Sequence, residues 1–128
     1  MIPVNDIQGL KVLITGASSG IGAAAARAFS RSGAEVTIHY NRRREEAESL
    51  AAALREEGGT AHVVSGDVTR AEDAEDIVAR SVAMMGGLDC LVNNAGAIFT
   101  ERRLSADGIE MTLALNHLNY FLLTHLML

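Results

Sequence analysis

Short apolar segments alternate with longer amphipathic ones along the whole chain. Four segments have the length and composition of buried β-strands, each ending near Gly, Asn or Asp: "LKVLITG", "AEVTIHY", "TAHVVSGDV" and "LDCLVNNAG". Four alanine-rich or periodic segments predict helices: "IGAAAARAFSRSG", "RRREEAESLAAALREEGG", "TRAEDAEDIVARSVAMMGG" and "MTLALNHLNYFLLTHLML". Because strands that alternate with helices pair through crossover connections, the pattern predicts a doubly wound α/β domain. Its parallel sheet would carry helices on both faces.

Capping residues mark the predicted helix boundaries. Gly33 stands where a residue in the left-handed conformation ends the first helix. Thr69 lies three residues before Glu72 and predicts a capping box at the start of the third helix. Asp107 and Glu110 have the same spacing and predict a box-like start to the last helix.

Composition narrows the possible classes of protein. With 128 residues, 48% of them hydrophobic, the chain predicts one domain, 1–128, with a packed core. A net charge of −5 argues against a general nucleic-acid or anionic-membrane binder. The only cysteine, Cys90, is predicted to be a buried strand residue, which suits a cytoplasmic setting. No secretory signal is expected at the N-terminus, and the apolar last segment, with two Asn and two His, predicts a buried helix rather than a membrane span.

The segment "TGASSGIG" follows the first strand and opens the first helix. Its glycines, Gly16, Gly20 and Gly22, have the spacing G-x-x-x-G-x-G. A glycine turn before a helix lets backbone N–H groups point at an anion, beside the positive end of the helix dipole. Glycine turns also serve packing alone, but the strand–turn–helix setting favours an anion-binding turn.

Four motifs, in this order, resemble the short-chain dehydrogenases/reductases over essentially the whole chain. They are "TGASSGIG", "GDV" at 66–68, "NNAG" at 93–96, and Asn116 within "LALNHLNYFLL". The resemblance implies a Rossmann-type sheet with strand order 3-2-1-4. The last helix is most similar to the retinol-dehydrogenase-like branch, and the middle of the chain to bacterial 3-ketoacyl-reductase-type members.

The resemblance also implies roles for individual residues. The pyrophosphate of a dinucleotide would lie on the first motif, through Gly16, Ser18, Ser19, Gly20, Ile21 and Gly22. Asp67, followed by Val68, would meet the adenine amino group, and Asn93, Ala95 and Gly96 would line the floor of the site. Asn116 would order a water and the catalytic lysine. Structural alternatives stay open: Asp67 as a cap before Thr69, the asparagines as turn formers, and Asn116 bonded to a neighbouring turn.

The residues after the second strand indicate which dinucleotide is preferred. An NAD-binding unit places an acidic residue there, about twenty positions after the glycine turn, to hold the ribose 2′-hydroxyl. This chain has Asn41, Arg42, Arg43 and Arg44, and the first acid is Glu45. Arginines bind a 2′-phosphate bidentately, so NADP(H) is predicted to be preferred, with NAD(H) possible. Alternatively, the arginines form a solvated run that pairs with nearby glutamates.

The catalytic pair that the resemblance implies, a tyrosine four residues before a lysine, is absent from these residues. Tyr40 is followed four positions later by Arg44, and Tyr120 by Thr124. The only lysine, Lys11, opens the first strand. The chain is therefore predicted to be the truncated, cofactor-binding portion of an NADP-dependent alcohol or carbonyl oxidoreductase, inactive alone. The alternatives are a non-catalytic dinucleotide-binding sensor and a subunit completed by a partner chain.

Two further expectations concern the histidines and the last helix. None of the histidines has a second ligand at metal spacing, so His39, His62, His117 and His125 are predicted to be structural and no metal is expected. The last helix has more apolar residues than one solvated face would show, and the fourth strand would leave an apolar sheet edge. Together they predict a homo-oligomer that forms through the last helix.

Overall fold

The computed structural model of the protein describes residues 6–128, and its strands form one parallel sheet. The strands are β1 (Lys11–Ile14), β2 (Glu35–Tyr40), β3 (Thr60–Ser65) and β4 (Cys90–Val92), in the order β3-β2-β1-β4. Ile14 pairs with both Ile38 and Val92, so the carboxyl ends of the strands lie along one edge of the sheet. The predicted doubly wound sheet and its strand order are confirmed.

Helices cover both faces of this sheet. They are α1 (Gly20–Arg31), α2 (Arg44–Glu56), α3 (Ala71–Met85), α4 (Met111–Leu113) and α5 (Asn119–Leu126), with a π-helical turn at Ala114–Leu118 between the last two. The predicted last helix is present and contains this π-turn. Within it the Asn119 N–H donates to the carbonyl five residues earlier, of Ala114, and such π-turns are frequent at functional sites.

The core has two parts because alternate residues of β1 point to opposite faces. Val12 and Ile14 pack with the buried face of α1 and with the predicted apolar face of α2, which is Ala47, Leu50, Ala51 and Leu54. Leu13 packs on the other face, with Ile77 of α3 and Leu123 of α5. All of these side chains are buried, so both helical layers are fixed to the strand that leads into the glycine turn.

The predicted end of the first helix is confirmed, and the predicted start of the third is wrong. Gly33, at φ +92°, directly follows Ser32, the C-cap residue of α1. The N-cap of α3 is Arg70, not Thr69. No hydrogen bond joins Thr69 and Glu72 in the described residues, and the Thr69 hydroxyl donates to Asp67 Oδ1 at 2.6 Å.

Glu110 caps the last helix with its own side chain. Its carboxylate accepts N–H bonds from Leu113 at 2.9 Å and Thr112 at 3.0 Å, and these bonds lower the pKa of the carboxyl group. The predicted box with Asp107 is wrong, because Glu110 is the N-cap residue and Asp107 lies in the preceding turn.

The fourth strand is shorter than predicted and lies at an edge of the sheet, so its three residues are only half-buried. Cys90 lies in this strand, as predicted, but is not fully buried. Burial, together with the neighbouring carboxylate of Asp89, raises the pKa of its thiol. Because the thiolate is the reactive form, this setting disfavours a nucleophilic role.

None of the helices within residues 6–128 is long and apolar enough to cross a membrane. No three His, Cys, Asp or Glu side chains in that range are grouped to hold a metal ion. The expectation about a secretory signal rests partly on residues 1–5, which lie outside the described residues.

Candidate functional site

A cleft of about 580 Å³ opens at the carboxyl edge of the sheet. Most of the predicted cofactor residues line it: Gly16, Ser18, Ser19, Ile21, Asn41, Arg42, Arg43, Asp67, Val68, Ala95 and Gly96. Gly20, Gly22 and Asn93 do not line the cleft, and neither does Asn116. Four separate stretches of the chain therefore converge on one concave surface, as the strand order requires.

The glycine turn packs tightly against the segment that follows β4. Gly16 has φ +64°, and a Cβ added there would lie 2.9 Å from the Cα atom of Ala95. Gly22 does not have a positive φ, but its added Cβ would lie 2.5 Å from Asn94 Nδ2 and 2.6 Å from the Gly16 carbonyl oxygen. Gly16 thus needs glycine for its conformation and for space, and Gly22 for space alone.

The positive end of α1 faces the cleft without a neutralising group. The N-cap residue, Ser19, makes no side-chain hydrogen bond to the helix, and the first turn contains no acidic residue. Gly20 begins the helix at φ +59°, and a Cβ there would have no atom within 4 Å, so the turn is open on that side. Free N–H groups at a helix N-terminus favour a bound anion.

Thr15 joins the glycine turn to the segment after β4, a role that sequence reasoning missed. Its buried hydroxyl accepts N–H bonds from Asn94 and Ala95, both at 3.1 Å, and donates to the Val92 carbonyl at 3.4 Å. Asn94 also donates from Nδ2 to the Gly16 carbonyl at 3.2 Å. The one feature of the sequence that hints at this role is the position of Thr15, a hydroxyl residue directly before the first glycine of the turn.

Asp67 forms the turn that was the structural alternative for it. Its Oδ1 accepts from the Thr69 N–H at 2.9 Å and from the Thr69 hydroxyl, and its own N–H donates to Asp73 Oδ2 at 2.9 Å. Within residues 6–128 no hydrogen bond engages its Oδ2. The turn therefore fixes the carboxylate at the cleft wall and leaves one oxygen for a ligand.

His39 is structural, as predicted, but it also lines the cleft. It is 1% exposed in β2, where Nδ1 accepts from the Gly16 N–H at 3.0 Å and Nε2 lies 2.8 Å from the Gly66 carbonyl oxygen. Burial is the main cause that lowers the pKa of this histidine. His62 points elsewhere and pairs with Glu35 at 2.7 Å.

The three consecutive arginines differ in their partners. Arg44 begins α2 and forms an ion pair with Glu48 at 3.0 Å, which raises the pKa of the guanidinium. Arg42 and Arg43 line the cleft and are exposed. Neither forms an ion pair with any residue of the described range. The alternative of glutamate pairing thus holds for Arg44 and not for its two neighbours.

The Asn116 side chain forms hydrogen bonds with the backbone of Ala97, the residue that follows "NNAG". Its Oδ1 accepts from the Ala97 N–H at 3.2 Å, and its Nδ2 donates to the carbonyls of Ala97 at 2.8 Å and Thr112 at 3.0 Å. This is the predicted structural alternative, a bond to neighbouring turns. A Cβ added at Gly96 would lie 2.7 Å from Asn116 Oδ1, so a larger residue there would displace the Asn116 side chain.

Asn93 faces away from the cleft, toward α5. Its Nδ2 donates to the Thr124 hydroxyl at 3.2 Å, while its buried Oδ1 has no partner within the described part of the chain. Tyr120 donates from its hydroxyl to the Ala95 carbonyl at 2.9 Å, a contact that the sequence did not reveal. The far wall of the cleft consists of further residues that were missed: Phe99, Arg103, Met111 and Leu115.

Comparison with known proteins decides the family. The family model described as short chain dehydrogenase matches residues 10–128, nearly the whole chain. The chain belongs to the short-chain dehydrogenase/reductase family. The resemblance inferred from the four motifs is thereby confirmed.

Curated relatives agree with this assignment. The chain is 34% identical over 123 residues to General stress protein 39 of Bacillus subtilis. The aligned part covers 94% of this chain and 43% of that protein. It is 39% identical over 119 residues to L-rhamnose 1-dehydrogenase (NAD(P)(+)) of a Sphingomonas species, covering 91% of this chain and 47% of that enzyme. It therefore spans about half the length of the curated relatives that it matches.

Solved structures of the family share the fold. A short-chain dehydrogenase from Burkholderia cenocepacia in complex with NADP is 34% identical, with a TM-score of 0.86 over 96% of this chain and 51% of that one. A short-chain dehydrogenase/reductase from Serratia marcescens is 31% identical, with a TM-score of 0.84 over 94% of this chain and 50% of that one.

Proposed function

We propose that this chain is the dinucleotide-binding part of a cytoplasmic oxidoreductase. The enzyme would transfer a hydride between NADP(H) and an alcohol or carbonyl compound. The observation that carries the proposal is the cleft itself, where the open positive end of α1 meets Arg42 and Arg43. Asp67 and the Ala95–Gly96 backbone form its opposite walls. The cytoplasmic setting is supported by Cys90, the single cysteine, which is free.

The residues present fit a dinucleotide. The unblocked N–H groups at Ser19–Gly20 suit a pyrophosphate, and the free oxygen of Asp67 suits an amino group of adenine. Gly96 and Ala97, held by Asn116, would form the floor beneath the nicotinamide end. A bound nicotinamide supplies the hydride chemistry, and the residues of this chain bind and orient it.

The preference for NADP(H) over NAD(H) rests on the residues after β2. No carboxylate among Asn41, Arg42 and Arg43 would repel a 2′-phosphate, and the two guanidinium groups have no competing ion pair in the described range. The similar structure from Burkholderia cenocepacia is a complex with NADP, which supports NADP(H) as the cofactor. The name of the Sphingomonas enzyme includes NAD(P)(+), which covers both nucleotides.

Replacing Arg42 and Arg43 together with alanine should weaken NADPH binding and leave NADH binding nearly unchanged. Hydrogen bonds to charged groups contribute about 1.5–3 kcal/mol, so the dissociation constant for NADPH should rise about tenfold to a hundredfold. Calorimetric titration of both nucleotides measures the change. Arg44→Ala is the matched control, because Arg44 already pairs with Glu48 and should affect neither nucleotide.

Two outcomes of these titrations would count against the proposal. Equal affinity of the unaltered protein for NADPH and NADH would remove the preference for NADP(H). Failure of both nucleotides to bind would remove the proposed function as a whole.

Residues 1–128 contain no Tyr-x-x-x-Lys, the pair that the family resemblance implies for proton transfer. We propose that this chain alone binds the cofactor without turnover, and that the tyrosine and lysine come from other residues of the complete enzyme. Asn116 is its proposed member of the catalytic tetrad. Both Nδ2 hydrogens are used by Ala97 and Thr112, but Oδ1 retains one lone pair, which could accept a bond from a water or an ammonium group.

Association through the last helix is also part of the proposal. Leu113 of α4 and Phe121 of α5 are 47% and 72% exposed, which is unusual for large apolar helix residues of a monomer. Light scattering coupled to size exclusion should show an oligomer for the unaltered protein and a smaller species for Phe121→Glu. Val82→Glu, on the partly exposed face of α3, should leave the mass unchanged. A monomeric unaltered protein would contradict this part of the proposal.

A further inference from the structure

His39 spans the gap between two walls of the cleft. Its Nδ1 accepts from the Gly16 N–H at 3.0 Å, and its Nε2 lies 2.8 Å from the Gly66 carbonyl oxygen. A backbone N–H can only donate and a carbonyl oxygen can only accept. The two partners therefore require a neutral ring with its hydrogen on Nε2.

The two partners of the ring belong to different parts of the proposed site. Gly16 is the first glycine of the turn that faces the pyrophosphate, and it sits directly after β1 and Thr15. Gly66 follows β3 and precedes Asp67, whose free oxygen faces the cleft. No backbone hydrogen bond of the described residues joins Gly16 to Gly66 directly. Backbone bonds tie each segment to β2, from the Ala17 N–H to the His39 carbonyl at 2.9 Å and from the Gly66 N–H to the Tyr40 carbonyl at 3.1 Å. Among the side chains of residues 6–128, the His39 ring alone bonds to both Gly16 and Gly66.

We propose that His39 is a positioning residue for the dinucleotide, and that only its neutral form holds the glycine turn and the Asp67 segment at the separation that binding requires. The proposal rests on the proposed function. A proton added at Nδ1 turns that atom into a donor facing the Gly16 N–H, so the bond to the glycine turn is lost. Cofactor binding and protonation of His39 are then mutually exclusive.

The surroundings of the ring favour the neutral form. Burial is the largest influence and lowers the pKa of His39 below its ordinary value, while the hydrogen bond to the Gly66 carbonyl and the carboxylate of Asp67 act in the opposite direction. Arg80 of α3, which donates to the Ser65 carbonyl at the end of β3, lowers the pKa further. Within residues 6–128, Asp67 and Arg80 are the charged groups that act on the ring, and β1, α1 and α2 contribute none.

Calorimetric titration with NADP⁺ between about pH 5 and pH 8 tests the proposal. Since one proton is excluded on binding, the affinity of the unaltered protein should fall by up to about tenfold per pH unit below the pKa of His39. The 2′-phosphate of NADP⁺ itself titrates near pH 6, so the pH profile needs a reference that shares this titration.

His39→Asn supplies that reference. Its side-chain oxygen replaces Nδ1 as the acceptor for Gly16 but does not titrate in this pH range, so its affinity should fall less steeply in acid than that of the unaltered protein. His62→Gln is the matched control, since His62 is another strand histidine but pairs with Glu35 away from the cleft, and its profile should follow the unaltered protein. Identical profiles for the unaltered protein and His39→Asn, over a pH range in which NMR shows that His39 gains its proton, would overturn the proposal.

Nitrogen NMR of the histidines in the protein without cofactor measures the protonation state and tautomer of His39 directly. It requires neither cofactor binding nor a folded variant. The expected spectrum shows His39 neutral at pH 7 with its hydrogen on Nε2. A hydrogen on Nδ1, or a charged ring, would overturn the proposal while leaving the proposed function intact. Absence of any NADP⁺ binding at pH 8 would overturn the proposed function, and the role of His39 with it.

Discussion

Gly22→Ala is expected to destabilise the protein by about 3 kcal/mol or more, at the upper end of what overpacking costs. The added methyl group would lie 2.5 Å from Asn94 Nδ2, 2.6 Å from the Gly16 carbonyl oxygen and 2.9 Å from the Ala17 Cα atom. Two of these three atoms belong to the backbone of the turn and cannot rotate away. Relief would require α1 to move away from Gly16 and Ala17, which would distort the glycine turn at the wall of the cleft.

Thermal unfolding should therefore show a fall in Tm of about 10 °C or more for Gly22→Ala. Gly20→Ala is the matched control in the same turn. Its φ of +59° strains an alanine, but no atom lies within 4 Å of the added Cβ, so it should cost only about 1 kcal/mol. If Gly22→Ala were no more destabilising than Gly20→Ala, the close packing of Gly22 against the backbone of Gly16 and Ala17 would be refuted. NADPH affinity should fall in parallel for Gly22→Ala.

The sequence predicts the sheet and the glycine turn well because both depend on local pattern. Apolar segments of strand length that are separated by helices are compatible with few sheet topologies. The strand order was implied by the family resemblance, which the family match confirms. The requirement for glycine at position 16 could also be foreseen, since the chain has to turn there. That Gly22 contacts Asn94 could not, because 72 positions separate the two residues and only the assembled sheet brings them together.

Predictions of helix caps failed where a side chain had two possible partners. Thr69 has the spacing of a capping box with Glu72, yet its hydroxyl bonds to Asp67, two residues before it. Bonds from Thr69 to Glu72 and to Asp67 would both fit the local sequence. The structure contains the bond to Asp67, which also holds the turn after β3. Glu110 is a similar case, because its side chain is long enough to reach the N–H groups of its own helix and needs no partner at Asp107.

His39 and the residues of the far wall show what the sequence cannot reveal. The position of His39 within a strand is predictable, but its two backbone partners lie 23 and 27 residues away and belong to different loops. Phe99 and Arg103 lie in an irregular segment whose path has no periodicity to read. The motifs thus identify where a cofactor would bind, whereas the groups that support those motifs emerge only from the fold.

Thr15→Val should destabilise the protein by about 2–3 kcal/mol, although valine has nearly the same shape as threonine. The hydroxyl is the acceptor for the N–H groups of Asn94 and Ala95, and the Ala95 N–H is buried. A buried donor left without a partner costs about 1–3 kcal/mol, and valine offers it none. Because these two residues form a wall of the cleft, NADPH affinity should also fall.

Thr37→Val is the matched control for this change. Thr37 is also fully buried, and it lies in β2 opposite Leu13 of β1. Its hydroxyl oxygen has no hydrogen-bond partner in the described part of the chain. Replacing an unpaired buried hydroxyl with a methyl group removes a desolvation cost, so Thr37→Val should be neutral or stabilising by up to about 1 kcal/mol. Equal losses of stability for the two variants, measured by urea unfolding, would show that threonine shape matters at both sites and that the bonds to Asn94 and Ala95 do not hold the cleft together.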